Sequence, residues 1–252
     1  LMVDKMKSVG NHDEDLVEVI AESLECKNPT VLGGFPGMGL VGNIVTQHLI
    51  EQFKMKNVGF VDSKLFPPVA VIYGGRVKGA VRIYESAEKE LVVLFSDIPI
   101  EPLISKEVGS TIVQWIKTLN PKEVVSIAGL ATPGLDYNVY CAATTDEEFE
   151  KIKDVALTFE MGTIAGVPGV LMNECMEHDI PAYCLLGETR GPNPDPRAAA
   201  EVVKALNKIY GWDISTEPLM EQADQIEKLL HKLSEQMAQT EKKPGKDFTM
   251  YG

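Results

Sequence analysis

An α/β fold with a mixed, mostly parallel sheet is the architecture these 252 residues predict. Short apolar runs at 30–35, 58–61, 91–95, 123–128 and 180–186 alternate with amphipathic segments of helical period, the pattern of strands crossed over by helices. Asp195-Pro196 is a helix-start signal, with Asp as N-cap and Pro at the first helical position. Gly74-Gly75 lies between apolar runs at 69–73 and 80–85 and predicts a hairpin, which makes the sheet mixed.

The elements follow in order. Residues 1–12 carry no periodic pattern and are expected to be disordered. Leu16, Val17, Ile20 and Leu24 fall at helical spacing and predict a helix over 13–25. The strand at 30–35 leads through Pro36-Gly37-Met38-Gly39-Leu40-Val41-Gly42 into a helix ending near Phe53. After the strand at 58–61, the hairpin and the strand at 91–95, helices are predicted at 104–119, 146–158 and 166–178. The helix opened by Asp195 should run to Tyr210, where Gly211 stops it. One α/β domain is thus expected over 13–213. A last helix over 217–239 carries Leu219, Ala223, Ile226, Leu230, Leu233 and Met237 at alternating four- and three-residue steps. That narrow seam suits packing on its own domain or between subunits. Residues 240–252, polar and broken by Pro244-Gly245, are expected to form a flexible tail.

Composition narrows the function classes. With 37 acidic against 24 basic residues the net charge is −13. Lys and Arg supply affinity for nucleic acid and anionic membranes, so neither is an expected partner. No apolar run approaches the roughly 18 residues a membrane span needs, and no signal-peptide pattern is present, so a cytoplasmic location is expected. Cys26, Cys141, Cys175 and Cys184 show no CxxC spacing and are expected to be reduced, mostly buried thiols.

Gly37-Met38-Gly39-Leu40-Val41-Gly42 matches G-x-G-x-x-G between a predicted strand and a helix, and Asp62 follows twenty residues after Gly42. In a dinucleotide-binding enzyme these residues would cradle a pyrophosphate and hold a ribose. The other reading is a tight turn that lets helix and strand pack closely. The preceding Gly33-Gly34-Phe35-Pro36 bend and the following hairpin favour the turn. No GxxxxGK[ST] loop is present.

Gly34-Phe35-Pro36-Gly37-Met38-Gly39-Leu40-Val41-Gly42, Phe66-Pro67-Pro68, Gly187-Glu188-Thr189 and Pro194-Asp195-Pro196-Arg197-Ala198-Ala199 together resemble the archaeal branch of the proteasome assembly chaperone 2 family. The resemblance covers most of the chain. It implies a three-layer α/β/α sandwich like that of nucleoside phosphorylases without the enzyme's chemistry, no cofactor, and assembly into a homo-oligomer. Some members of that family carry a hydrophobic-Tyr-X tail that docks on the α-ring of the core proteasome. Here the motif falls on Met250, Tyr251 and Gly252, with Phe248 as a further apolar contact. The chemistry suits insertion: Tyr joins a large apolar area to a hydroxyl, and a terminal carboxylate is a recognised handle for peptide capture. A terminal Gly departs from the pattern in offering only that carboxylate. Under this reading Leu219, Ile226, Leu230, Leu233 and Met237 are the oligomerisation candidates.

Other chemistry is weaker. Cys175 and His178 share a helix face, but a structural thiol and a surface histidine explain them without a metal. Ser96, Asp97, Thr132, Gly134, Glu188, Thr189 and Arg190 lie at strand ends, where a nucleoside-type enzyme would place its site and where loop capping needs the same residue types. Glu85, Glu88 and Glu90 read as a solvated strand end. No G-x-S-x-G elbow occurs.

Overall fold

The computed structural model describes residues 7–9, 16–134 and 136–241, with side chains from residue 16 to residue 229. In chain order the elements are β1 (Lys7–Val9), β2 (Val17–Ala21), β3 (Thr30–Gly34), α1 (Val41–Gln52), β4 (Lys56–Ser63), β5 (Val71–Tyr73), β6 (Arg76–Lys78), β7 (Val81–Ser86) and β8 (Leu91–Ser96). They continue with α2 (Pro102–Thr118), β9 (Glu123–Ala131), β10 (Val139–Ala143), α3 (Asp146–Ile152), β11 (Leu157–Thr158), α4 (Gly166–Glu177), β12 (Ala182–Thr189), α5 (Pro196–Tyr210) and α6 (Glu217–Glu241).

Among the described residues one ten-stranded sheet runs in the order β1-β2-β4-β7-β8-β3-β9-β12-β10-β11. Its centre, β8-β3-β9-β12, is parallel, and β10-β11 is the other parallel pair. The other five pairings are antiparallel. The sheet is therefore mixed, as expected, but not mostly parallel. The parallel strands are continuous apolar runs, because helices bury them on both faces. α2 and α4 cover one face around Val31, Ile112 and Leu171. α1, α3 and α5 cover the other around Leu32, Val45, Leu185 and Val203, and α6 packs on α5.

The segment expected to be a helix over 13–25 contains β2 instead. Val17, Val19 and Ala21 are buried while Glu18 and Ile20 between them are half-buried, so the period is two and the β-branched residues fit a strand. Lys7–Val9 pairs along β2 where a disordered end was expected. The Gly74-Gly75 hairpin forms, but its second arm is β6, and it stands as a separate two-stranded sheet. The run at 80–85 became β7, inserted between β4 and β8. The helix expected over 146–158 stops at Ile152, and β10 had no expectation at all. The start of α5 matches: the Asp195 carboxylate accepts from the Ala198 N–H at 3.2 Å, Pro196 opens the helix, and Gly211 ends it at φ 66°.

Candidate functional site

Three of the four resembling blocks meet at the C-terminal edge of the parallel strands. β3 ends at Gly34, and the chain bends through the buried Phe35 into α1. Gly39 takes φ 62°, and a Cβ there would lie 2.5 Å from the Thr189 hydroxyl at the end of β12. A Cβ on Gly42 would lie 2.3 Å from the Ile127 carbonyl oxygen of β9. The Thr189 hydroxyl donates to Asp195 at 2.8 Å, and the Asp195 N–H donates to the Gly39 carbonyl at 2.9 Å. Asp195 thus ties the end of β12, the glycine loop and the start of α5 together. Phe66 instead packs on the α2/α4 cluster, with Pro67 and Pro68 exposed.

This geometry gives the dinucleotide reading no support. The loop backbone is pressed onto β9 and β12, and Gly39 and Gly42 serve that packing. Asp62 lies on β4, with β7 and β8 between it and β3. Three strand spacings put it about 14 Å from β3, whereas the fingerprint needs its acid at the end of the strand next to β3.

The strand-end residues serve as caps. Glu188, buried, accepts from the Thr132 hydroxyl and, at 2.9 Å, from the Asn138 N–H. The Thr132 hydrogen bond holds its carboxyl below the ordinary range. The Ser96 hydroxyl donates to the Ile98 carbonyl at 2.6 Å. Beside them a cleft of about 180 Å³ is lined by Tyr137, Arg190, Pro194, Arg197 and Ile226 among others. The Arg197 guanidinium is already paired with Asp224 at 2.6 Å and Glu227 at 3.1 Å, and Arg190 lies over the Tyr137 ring. These groups satisfy one another, which gives no support to a phosphate or base subsite.

Two features were missed. Glu85 is not solvated: it is buried and accepts the N–H groups of Glu25 at 2.6 Å and Cys26 at 2.8 Å, pinning the loop before β3. Arg82 is buried beside Asp97 at 2.5 Å, with Phe95, Tyr84 and Tyr73 centred 5.0, 5.7 and 5.8 Å from its guanidinium. Burial pushes the Asp97 carboxyl up, against the pull of the Arg82 charge. An arginine alternating with apolar residues in 81–84 was the available signal.

Cys141, Cys175 and Cys184 are buried and Cys26 is half-buried, all four free, as expected. Burial pushes the thiols of Cys26, Cys175 and Cys184 up to about 12. His178 lies 2.9 Å from the Gln114 side chain and 3.8 Å from Glu174. No helix among the described residues is long and apolar enough to cross a membrane.

Of the oligomerisation candidates, Leu219 is 3% exposed and packs in this chain's own core. Ile226 is half-buried, while the side chains of Leu230, Leu233 and Met237 lie outside the described residues. Phe248, Met250, Tyr251 and Gly252 also lie outside them.

Comparison with known proteins places this architecture. The PAC2 family model matches residues 31–234. An uncharacterized protein of Methanocaldococcus jannaschii is 33% identical over 250 residues, covering 99% of this chain and all of that protein. The crystal structure of Pyrococcus furiosus PbaA, described as an archaeal homolog of proteasome-assembly chaperone, is similar with a TM-score of 0.82 and 33% identity, over 91% of this chain and 96% of that one. Pyrococcus furiosus PbaB, described as an archaeal proteasome activator, shares the fold with a TM-score of 0.78 at 24% identity, over 87% and 99% of the two chains. By the family model over most of the chain and by this identity, the chain belongs to the PAC2 family.

Proposed function

We propose that this chain is a proteasome assembly or activating chaperone that works without catalysis. As a homo-oligomer it presents several C-terminal tails, and each places Tyr251 and the Gly252 carboxylate in a pocket of the core proteasome α-ring. Met250 and Phe248 add apolar contact. Several weak tails gain avidity together when their spacing fits the ring. The observation that carries this reading is 33% identity to PbaA over nearly the whole length of both chains. The packing of Gly39 and Gly42 onto β12 and β9 supports it by explaining the glycine loop without a nucleotide.

The test is a pull-down of archaeal core proteasome with the full chain and with a version lacking Met250-Tyr251-Gly252, with peptide hydrolysis measured for both. Binding or stimulation lost on deletion is the expected result. Equal binding by both would move the contact to the α/β body. No binding by either would overturn the proposal.

A further inference from the structure

A second cavity opens between α1, the β5–β6 hairpin and the sheet. Its volume is about 340 Å³, at the small end of the range for ligand pockets. Ile50 of α1 and Tyr73 of β5 contribute to its walls, with Tyr84 of β7 and Phe95 of β8 from the sheet. The Arg82–Asp97 pair belongs to the same lining.

Arg82 is short of acceptors. A guanidinium carries five N–H donors. This side chain is 6% exposed, yet among the described residues it makes one hydrogen bond, from Nη2 to Oδ2 of Asp97 at 2.5 Å. Its Nε is buried with no partner. Three rings are centred 5.0, 5.7 and 5.8 Å from the guanidinium carbon. Ring faces balance a cation but accept hydrogen bonds only weakly. Asp97 has the opposite shortage. Its Oδ1 takes no hydrogen bond from the described residues, and burial pushes the carboxyl up against the pull of Arg82. The pair therefore holds spare donors beside a spare acceptor, among three aromatic rings.

That combination selects a ligand. Aromatic walls favour a flat body. Adjacent donors and acceptor ask for a C=O next to an N–H on one edge of it. A trans peptide bond points these two groups in opposite directions, so a chain segment does not present them together. A cyclic amide holds them on the same side. Asp97 and Glu51 outnumber Arg82 in the lining, so a phosphate or carboxylate would meet net repulsion.

We propose that this cavity binds a small, uncharged cyclic amide, whose carbonyl accepts from Arg82, whose N–H donates to Asp97 and whose ring lies among Tyr73, Tyr84 and Phe95. The site is distinct from the Asp195 tie, since β8, β3 and β9 lie between β7 and β12. Because Tyr73 belongs to the hairpin and Ile50 to α1, the ligand would bridge the two. The inference rests on neither self-association nor proteasome binding.

Theobromine and caffeine are the probes. They share one neutral fused ring and differ at a single imide nitrogen, N–H in theobromine and N-methyl in caffeine. Calorimetric titration of the full chain is expected to show theobromine binding about tenfold tighter, the worth of one hydrogen bond to a charged group. Ile50→Trp, at a half-buried position, fills the cavity without touching the ion pair and should abolish binding of both, with an unchanged thermal melt. In Asp97→Asn the amide oxygen serves Arg82 and the NH2 is left for the ligand, so the preference for theobromine should disappear. Equal affinities in the wild type would mean an apolar hole that does not read the amide edge. Binding of neither probe, binding that survives Ile50→Trp, or a preference that persists in Asp97→Asn would likewise overturn the inference. Should Ile50→Trp fail to fold, the Asp97→Asn comparison decides.

Discussion

Thr189 at the end of β12 donates its hydroxyl hydrogen to Asp195 at 2.8 Å, and Asp195 uses its other carboxylate oxygen to cap α5. Replacing Asp195 by Ala removes the cap and leaves the buried Thr189 hydroxyl without its acceptor. The expected cost is about 2 kcal/mol, roughly 1 for the cap and the rest for the orphaned hydroxyl. Asp195→Asn keeps the cap through its amide oxygen, and its NH2 can donate to the Thr189 hydroxyl in the reversed direction, so it should cost under about 1 kcal/mol. Urea unfolding midpoints of the three proteins measure this, and equal losses for Ala and Asn would refute the geometric account.

Gly42 and Gly74 separate crowding from backbone strain. A Cβ on Gly42 would meet the Ile127 carbonyl oxygen at 2.3 Å, a backbone atom in the middle of the sheet. Gly42→Ala is expected to cost about 3 kcal/mol, because neither α1 nor β9 can give way without losing packing. Gly74 has φ 56° and nothing within 4 Å of a Cβ, so Gly74→Ala should cost only the left-handed strain, about 1 kcal/mol. A reversed order in denaturant titrations would show that the glycine loop is not held against β9.

The central parallel strands and α5 were legible because their signals are local: continuous apolar runs, an Asp-Pro start and a glycine stop. β2 was misread because Leu16, Val17, Ile20 and Leu24 fit a helical period as well as Val17, Val19 and Ala21 fit a strand. Five or so residues do not separate the two. β7 was assigned to the hairpin because sequence adjacency cannot show that the strand is captured by β4 and β8. The role of Asp195 in joining two distant blocks needed coordinates, since its cap signal explains only its effect on α5. Arg82 was passed over for a similar reason: its partners Asp97 and Tyr73 come from different strands.

Glu188 makes the fold sensitive to acid in a defined direction. The Thr132 hydroxyl holds its carboxyl below the ordinary value of 4.5 in the folded chain. A depressed folded value means that the contribution is fully present above about pH 4.5. It is lost as pH falls through the folded value. Thr132→Val removes the donor and narrows the gap between folded and unfolded values. The variant should therefore be less stable than wild type at pH 7, with the difference shrinking below pH 4.5. Unfolding midpoints at pH 7 and pH 3 check the sign, and a difference that grows on acidification would contradict it.

Arg82 tests what holds the β5–β6 hairpin on the sheet. Its side chain is 6% exposed, three aromatic rings surround it, and its Nε has no hydrogen-bond partner. Arg82→Ala leaves the partly buried Asp97 unpaired and opens a void among the rings. The expected loss is about 3 kcal/mol, at the low end for a broken buried pair because Asp97 keeps 27% exposure. Arg82→Met also removes the charge but refills the void with a flexible chain that packs well on aromatic rings, so it should recover about 1–2 kcal/mol of that loss. Asp97→Asn should cost less than Arg82→Ala, since the neutral amide still accepts from the guanidinium. If Arg82→Met proved as damaging as Arg82→Ala, the ion pair would dominate the site. The expected partial recovery means that packing among Tyr73, Tyr84 and Phe95 carries about half of the loss, the rest being the cost of leaving Asp97 unpaired.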